Sequence, residues 1–166
     1  MDDEPLKRKI FTKEQGNAKA RHFCAYQERS HYEVRNKLFD WGLYPKDVEE
    51  IISELIQENY LNEARFALAY TLGKFRIKGW GKHKIKQGLK IKRISDKLIN
   101  TSLGKLDDDQ YLAKLLEIIE KKSKTISEKD PFKRRYKLMQ YALQKGFESD
   151  LISDILNNNK LSKNNK

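Results

Sequence analysis

The chain has 166 residues, of which 38% are hydrophobic and 36% charged, and its 35 Lys and Arg against 24 Asp and Glu give a formal net charge of +11. The modest hydrophobic content favours several small cores over one large core. A single cysteine excludes an internal disulfide framework, and Lys or Arg interrupts each apolar segment before it reaches the roughly 18 residues that span a bilayer. We therefore expect a soluble, cytoplasmic protein without a signal peptide.

Helix-forming residues dominate the chain, and residues that break helices are few. Lys, Glu, Leu and Ile are abundant, whereas there are three Pro and eight Gly. Signals for β-hairpin turns are correspondingly scarce. The composition predicts an all-α fold.

Helix start signals follow one another along the chain. Thr12 with Gln15 and Ser30 with Glu33 have the spacing of capping boxes, in which each side chain accepts a hydrogen bond from the other residue's backbone N–H. Elsewhere an N-cap residue, an acidic first turn or a proline at the first helical position marks a start. The predicted helices begin near residues 12, 30, 45, 62, 82, 95, 107, 130 and 149.

One apolar pattern occurs three times, at intervals of about fifty residues. In each copy two apolar residues four apart form a helical stripe, a chain reversal follows four residues later, and an apolar residue comes next. The first and third copies have glycine at the reversal, as is usual where the residue just past a helix end adopts a left-handed conformation. The three copies are Val34, Leu38, Gly42, Leu43; Ile85, Leu89, Arg93, Ile94; and Leu138, Ala142, Gly146, Phe147.

The repeat and the helix starts together predict three tandem three-helix modules, each resembling a helix-turn-helix. We place these modules at residues 12–60, 61–104 and 105–157. Residues 1–11 lack periodicity and are predicted to be a mobile arm, and the Asn- and Lys-rich residues 158–166 are predicted to be a disordered tail.

Charge is unevenly distributed along the modules. Residues 74–93 contain Lys and Arg but no Asp or Glu. Residues 47–63 contain Asp and Glu but no Lys or Arg. A basic run favours contact with phosphates or acidic protein surfaces, although it also occurs on an ordinary solvated helix face. Candidates for partner or DNA contact are Arg65, Lys74, Arg76, Lys78, Lys82, Lys84, Lys86, Lys90, Lys92 and Arg93.

Helical spacing places Lys82, Lys86 and Lys90 on one face, opposite the apolar stripe of their helix. Trp80, between two glycines, either stacks on a base or fills the core of its module. Arg65 either forms an ion pair between modules or faces a partner. We interpret four other aromatic residues on apolar stripes as packing residues: Trp41, Phe66, Tyr70 and Phe147.

Signatures of catalysis or metal binding are weak. Gly81-Lys82 is similar to part of a phosphate-binding loop, but that loop needs Gly and Ser or Thr where Arg76 and His83 stand. The three histidines are scattered, and Cys24 lacks the paired Cys or His that zinc requires. We expect no enzymatic activity, no metal and no cofactor, with Cys24 as a small apolar core residue.

The second module carries a family resemblance. Residues 61–67, with the sequence Leu-Asn-Glu-Ala-Arg-Phe-Ala, precede Tyr70, the Gly79-Trp80-Gly81 turn and the apolar stripe that ends at Ile94-Ser95. With the threefold repeat, this combination closely resembles the RecX family of recombination regulators over about residues 15 to 156. Arg93 is a departure, because the family pattern usually has Gly there.

The resemblance implies an elongated, curved array of nine helices that binds the RecA nucleoprotein filament as a monomer. It implies that the protein lowers RecA ATP hydrolysis and strand exchange, and that it acts from the cytoplasm without catalysis of its own. Some family members also contact DNA. Lying in the filament groove and capping a filament end are both compatible with this description.

Two other function classes remain open. In the first, the last two helices of each module form a DNA-reading helix-turn-helix that acts without RecA. The acidic residues of the third helices, including Glu50 and Glu54, weigh against this alternative because they would repel phosphate. In the second, the chain is a helical scaffold for other proteins.

Overall fold

The structure, a computed structural model, describes residues 10–158, which form nine α-helices and no strand. This confirms the all-α prediction. Most of the predicted arm and tail lies outside the described residues. The helices are α1 (Lys13–Tyr26), α2 (His31–Asp40), α3 (Pro45–Gln57), α4 (Glu63–Lys78), α5 (Lys82–Ile91), α6 (Asp96–Leu103), α7 (Asp108–Thr125), α8 (Pro131–Gln144) and α9 (Ser149–Asn158).

The helix starts follow the predicted capping chemistry, with one difference. Thr12 and Gln15 form a complete capping box at α1. At α2 the Ser30 hydroxyl accepts a hydrogen bond from the Glu33 N–H, but the Glu33 carboxylate lies 3.1 Å from Lys92 Nζ instead of closing the box. An ion pair with a distant residue thus replaces the local bond that the spacing predicts.

The three copies of the apolar pattern adopt the same local structure. Both stripe residues of each copy are fully buried, and the apolar residue after each reversal is at most 5% exposed. The reversal residues Gly42, Arg93 and Gly146 all have positive φ, at 84°, 60° and 95°. After the first and third stripes, the apolar residue donates its N–H to a carbonyl of the preceding helix, as a left-handed helix end requires.

The described residues form two compact units whose division falls between Ala67 and Leu68, within α4; residues 92–94 belong with the first unit. The first unit contains α1 to α3 around a core that includes Ala20, Val34 and Leu55. The second contains α5 to α9 and most of α4. None of the helices described is long and apolar enough to cross a membrane.

Ion pairs and hydrogen bonds join α1 to α3 in the first unit. Lys13, Asn17 and Arg21 follow one another at helical spacing and contact Glu50, Glu54 and Glu58 respectively. The ammonium of Lys13 lowers the pKa of Glu50 through their hydrogen bond. Much of the acidic charge noted in the sequence is therefore matched by cations and amides of α1.

Arg93 holds a left-handed backbone conformation with a full side chain. This conformation costs about 1–2 kcal/mol for an L-residue, and the guanidinium recovers part of the cost by lying 4.8 Å from the Tyr32 ring. We expect Arg93→Gly to change the free energy of unfolding by less than about 1 kcal/mol, because the relieved backbone offsets the lost ring contact. Arg93→Val should lower it by about 1–2 kcal/mol. Urea unfolding followed by circular dichroism checks both values, and a large loss in Arg93→Gly would contradict this account.

Candidate partner and nucleic-acid interface

The Gly79-Trp80-Gly81 turn joins α4 to α5 and packs against the turn after α8. The Gly81 N–H donates to the Lys145 carbonyl at 2.7 Å, and the His83 N–H donates to the Gly146 carbonyl at 3.0 Å. The Lys82 N–H donates to the Tyr111 hydroxyl at 3.0 Å. These amides at the start of α5 already have protein acceptors, so this turn does not offer them to a phosphate.

Tyr111 links the residues that follow these two turns. Its ring is 2% exposed and stacks on Phe75 with 5.8 Å between ring centroids. Its hydroxyl donates to the Glu148 carboxylate at 2.8 Å while accepting from Lys82. Burial raises the pKa of Tyr111, which keeps the hydroxyl protonated and able to donate.

Trp80 lies half-buried in the same turn, between two lysines. The Nζ atoms of Lys74 and Lys84 lie 4.8 and 4.7 Å from its ring, and the ring of Tyr70 meets it edge to face at 6.5 Å. Lysine ammoniums at this range are attracted to the face of an indole. Trp80 therefore packs on its module and at the same time organises two positive charges at the surface.

Two lysines distant in the sequence contact the C-terminal end of α4. Lys145 Nζ donates to the Lys78 carbonyl at 2.7 Å, and Lys114 Nζ donates to the Arg76 carbonyl at 3.5 Å. Cations are favourable at this end of a helix, where the backbone carbonyls carry partial negative charge. Partial burial lowers the pKa of Lys145, and the positive charges of Lys84 and Lys78 lower it further.

We call this surface of the second unit the Trp80 patch. Its cations have no carboxylate within 4.0 Å among residues 10–158, since the ion pairs of the described chain involve other residues. Three of its members, Lys74, Lys78 and Lys84, belong to the basic run, whereas Lys145 gave no signal in the sequence. The Trp80 patch consists of Lys74, Lys78, Trp80, Lys84 and Lys145. Arg76 lies two residues from both Lys74 and Lys78 on α4, so it is on a different face of that helix, and it is exposed.

The remaining members of the basic run on α5 differ in their contacts, and their part in partner binding stays a prediction. Ile85 and Leu89 are fully buried, as the helical spacing predicts. The ammonium of Lys82 lies 4.8 Å from the Tyr111 ring, and Lys90 lies 3.9 Å from Asp96. Lys86 is half-buried.

The other three candidates lie in the first unit with partners of their own. Arg65 donates to the Glu28 carboxylate at 2.9 Å and to the side chain and carbonyl of Asn59, so the ion-pair alternative describes it. Lys92 pairs with Glu33, and Arg93 lies over Tyr32. Each of these three side chains thus has a partner within the first unit, and their part in binding a partner protein or DNA stays a prediction.

The predicted packing residues and Cys24 are buried or half-buried. Phe66 is 5% exposed and Phe147 is 1% exposed, while Trp41 and Tyr70 are half-buried. Burial raises the pKa of the Cys24 thiol to about 11. Within residues 10–158, no group of three or more His, Cys, Asp or Glu side chains is placed to hold a metal ion.

Comparisons with known proteins identify the architecture. Models of the RecX family match three successive parts of the chain: the first three-helix domain at residues 18–55, the second at 62–103 and the third at 108–156. The chain belongs to the RecX family. This confirms the resemblance and the tandem three-helix repeat, while the module boundaries predicted above stay predictions.

Similar RecX proteins come from several bacteria. The regulatory protein RecX of Bacillus mycoides (strain KBAB4) is 25% identical over 130 residues, which cover 78% of this chain and 48% of that protein. The protein of the same name from Bacillus thuringiensis (strain Al Hakam) is 26% identical over the same shares. The chain thus spans about half the length of these relatives, whose name describes regulators.

Solved RecX structures have the same fold. The crystal structure of RecX from Lactobacillus salivarius superimposes with a TM-score of 0.80 at 27% identity, over 90% of this chain and 97% of that one. A second crystal structure, of a regulatory protein RecX, gives 0.77 at 21% identity over 87% of this chain and 74% of that one. The second similarity concerns the fold alone.

Proposed function

We propose that this protein is a cytoplasmic regulator that binds the RecA nucleoprotein filament and restrains its ATPase and strand exchange, thereby regulating recombinational DNA repair. Membership of the RecX family supports the class of partner. The single observation that supports the contact surface is the Trp80 patch, where four lysines lie together without an acidic partner among the described residues. We further propose that the protein acts as a monomer without catalysis or a cofactor.

The physical basis of the proposal is electrostatic. A nucleoprotein filament presents DNA phosphates and acidic protein surfaces, both of which attract a surface with several lysines. Neutralising phosphates releases counterions, so affinity falls steeply as salt rises. The Trp80 patch suits such a contact because its charges are held in place by Trp80 and by the end of α4.

A second candidate is a basic DNA-binding module that acts without RecA. The half-buried Trp80 between Lys74 and Lys84 favours it, because aromatic rings flanked by cations bind single-stranded nucleic acid. Reading of duplex DNA by α3 is disfavoured, since Glu50 and Glu54 of that helix and Glu58 at its end face the cations and amides of α1.

Sedimentation with preformed filaments distinguishes these functions. RecA on single-stranded DNA is pelleted with the protein at low and at moderate salt, and free single-stranded DNA is titrated alongside. We expect cosedimentation with filaments at both salt concentrations and weaker binding to free DNA. Equal binding to free DNA and to filaments would favour the second candidate, and absence from the filament pellet at low salt would overturn the first.

A further inference from the structure

A groove on the first unit has an aromatic floor and a cationic rim. Its volume is about 460 Å³, within the range of small-ligand and peptide-anchor pockets. Phe23 and Trp41 pack edge to face at its base, with 6.5 Å between ring centroids. The groove is lined by Lys19, His22, Phe23, Tyr26, Arg29 and Trp41, with no carboxylate among its described lining residues.

Arg29 is the most constrained cation of this groove. Its guanidinium lies 3.7 Å above the Phe23 ring centroid, and its Nε donates to the Phe23 carbonyl at 3.1 Å. These two contacts fix the plane of the guanidinium before any ligand arrives. Its two terminal nitrogens have no hydrogen-bond partner within residues 10–158, and a planar pair of donors matches a carboxylate in two parallel bonds.

Further cations surround the same rings. Lys19 Nζ lies 4.6 Å from the Phe11 ring and 5.5 Å from the Trp41 ring, and Lys37 Nζ lies 5.8 Å from Phe23. Neither lysine has a carboxylate within 4.0 Å in the described part of the chain. The groove therefore combines an apolar cavity with uncompensated positive charge.

We infer that this groove docks an acidic peptide segment of a partner protein, in which an apolar or aromatic side chain is flanked by carboxylates. The apolar side chain fills the cavity beside Trp41, and a neighbouring carboxylate binds the terminal nitrogens of Arg29. Tyr26, which is 79% exposed at the edge of the groove, adds an aromatic contact.

The contacts favour a peptide over single-stranded nucleic acid. Base stacking needs an open ring face, yet Arg29 covers a face of Phe23, and the rings of Phe11 and Phe23 meet Trp41 at steep angles. Tyr26, at the edge of the groove, is 79% exposed. Lys19 and Arg29 line the same cavity as the apolar rings, which suits one apolar group with adjacent carboxylates.

Tryptophan fluorescence tests the inference directly. The full chain has two tryptophans, so in a Trp80→Phe background Trp41 alone reports from the groove. The probe is a short peptide with one phenylalanine between aspartates. We expect a saturable change in Trp41 emission, which weakens at least tenfold when the phenylalanine becomes serine or the aspartates become asparagines.

Variants of the protein assign the response to the groove. Arg29→Lys keeps the charge but loses the planar donor pair, so it should weaken binding about fivefold or more, whereas Arg135→Lys on α8 in the second unit should not change it. Lys19→Gln, at an exposed position, provides a second test that does not depend on the Arg29 packing. Unchanged binding in both groove variants would overturn the inference. A stronger, Arg29-dependent response to oligothymidylate than to the peptide would also overturn it, in favour of a nucleic-acid site.

Discussion

Gly81→Ala is expected to lower the free energy of unfolding by about 3 kcal/mol, because no space exists for a methyl group at this turn. A Cβ on Gly81 would lie 2.4 Å from the carbonyl carbon and oxygen of Gly146 and 2.5 Å from the Phe147 nitrogen. All three are backbone atoms, so relief requires moving the two turns apart. That movement would stretch the hydrogen bonds from Gly81 to Lys145 and from His83 to Gly146.

Gly73→Ala is the matched control for this substitution. Gly73 lies inside α4, and nothing lies within 4 Å of a Cβ built there. Alanine in a helix interior is favoured over glycine, so this variant should gain up to about 1 kcal/mol. Urea unfolding of both variants measures the difference. A Gly81→Ala variant as stable as the parent would show that the two turns can separate freely, which contradicts the described joint.

Lys74→Gln combined with Lys84→Gln is expected to weaken filament binding by about tenfold at moderate salt. These lysines flank Trp80, and their removal leaves the rest of the Trp80 patch in place. If both contact phosphates, the slope of the logarithm of affinity against the logarithm of salt concentration should decrease by about two. Filament sedimentation over a series of salt concentrations gives both quantities.

A matched control separates the Trp80 patch from overall charge. Lys97 and Lys105 are exposed in the second unit, and neither forms an ion pair among the described residues. Lys97→Gln with Lys105→Gln removes the same two charges from a net charge of +11. This control should bind filaments like the parent. Equal losses in the two double variants would mean that net charge, not the Trp80 patch, determines binding.

The repeated helix ends show what local sequence can predict. Capping residues and apolar spacing act over a few residues, and they predicted the starts of the helices and the buried stripes. Arg93 shows that the fold can retain a left-handed turn without glycine. There the side chain gains a contact with Tyr32, a residue of another helix, which no local pattern reveals.

Contacts between distant segments account for what the sequence did not predict. Lys145 joins the Trp80 patch because the turn after α8 packs on the Gly79-Trp80-Gly81 turn, and nothing near Lys145 in the sequence signals this. Glycine inside a helix is locally unfavourable, yet Gly88 lies inside α5. The hydroxyl of Tyr70 explains it, because a Cβ on residue 88 would lie 2.0 Å from that oxygen. Both features depend on tertiary packing.

Tertiary packing also determines which of the ten candidate cations have acidic partners. The run of Lys and Arg without Asp or Glu predicted a basic surface, but it did not predict which of these cations would form ion pairs. Arg65 and Lys92 form ion pairs with glutamates, whereas Lys74 and Lys84 remain beside Trp80 without a carboxylate in the described chain. Pairing of this kind is decided by the fold, since Glu28 and Glu33 belong to segments far from their partners in sequence.

The proposed restraint of RecA is tested by the RecA ATPase rate on single-stranded DNA, titrated with this protein. The parent protein should inhibit at well below one molecule per RecA, and the Lys74→Gln, Lys84→Gln variant should require about tenfold more protein for the same inhibition. The Lys97→Gln, Lys105→Gln control should match the parent. An ATPase rate that the parent leaves unchanged at low and at moderate salt would contradict the proposed restraint of RecA.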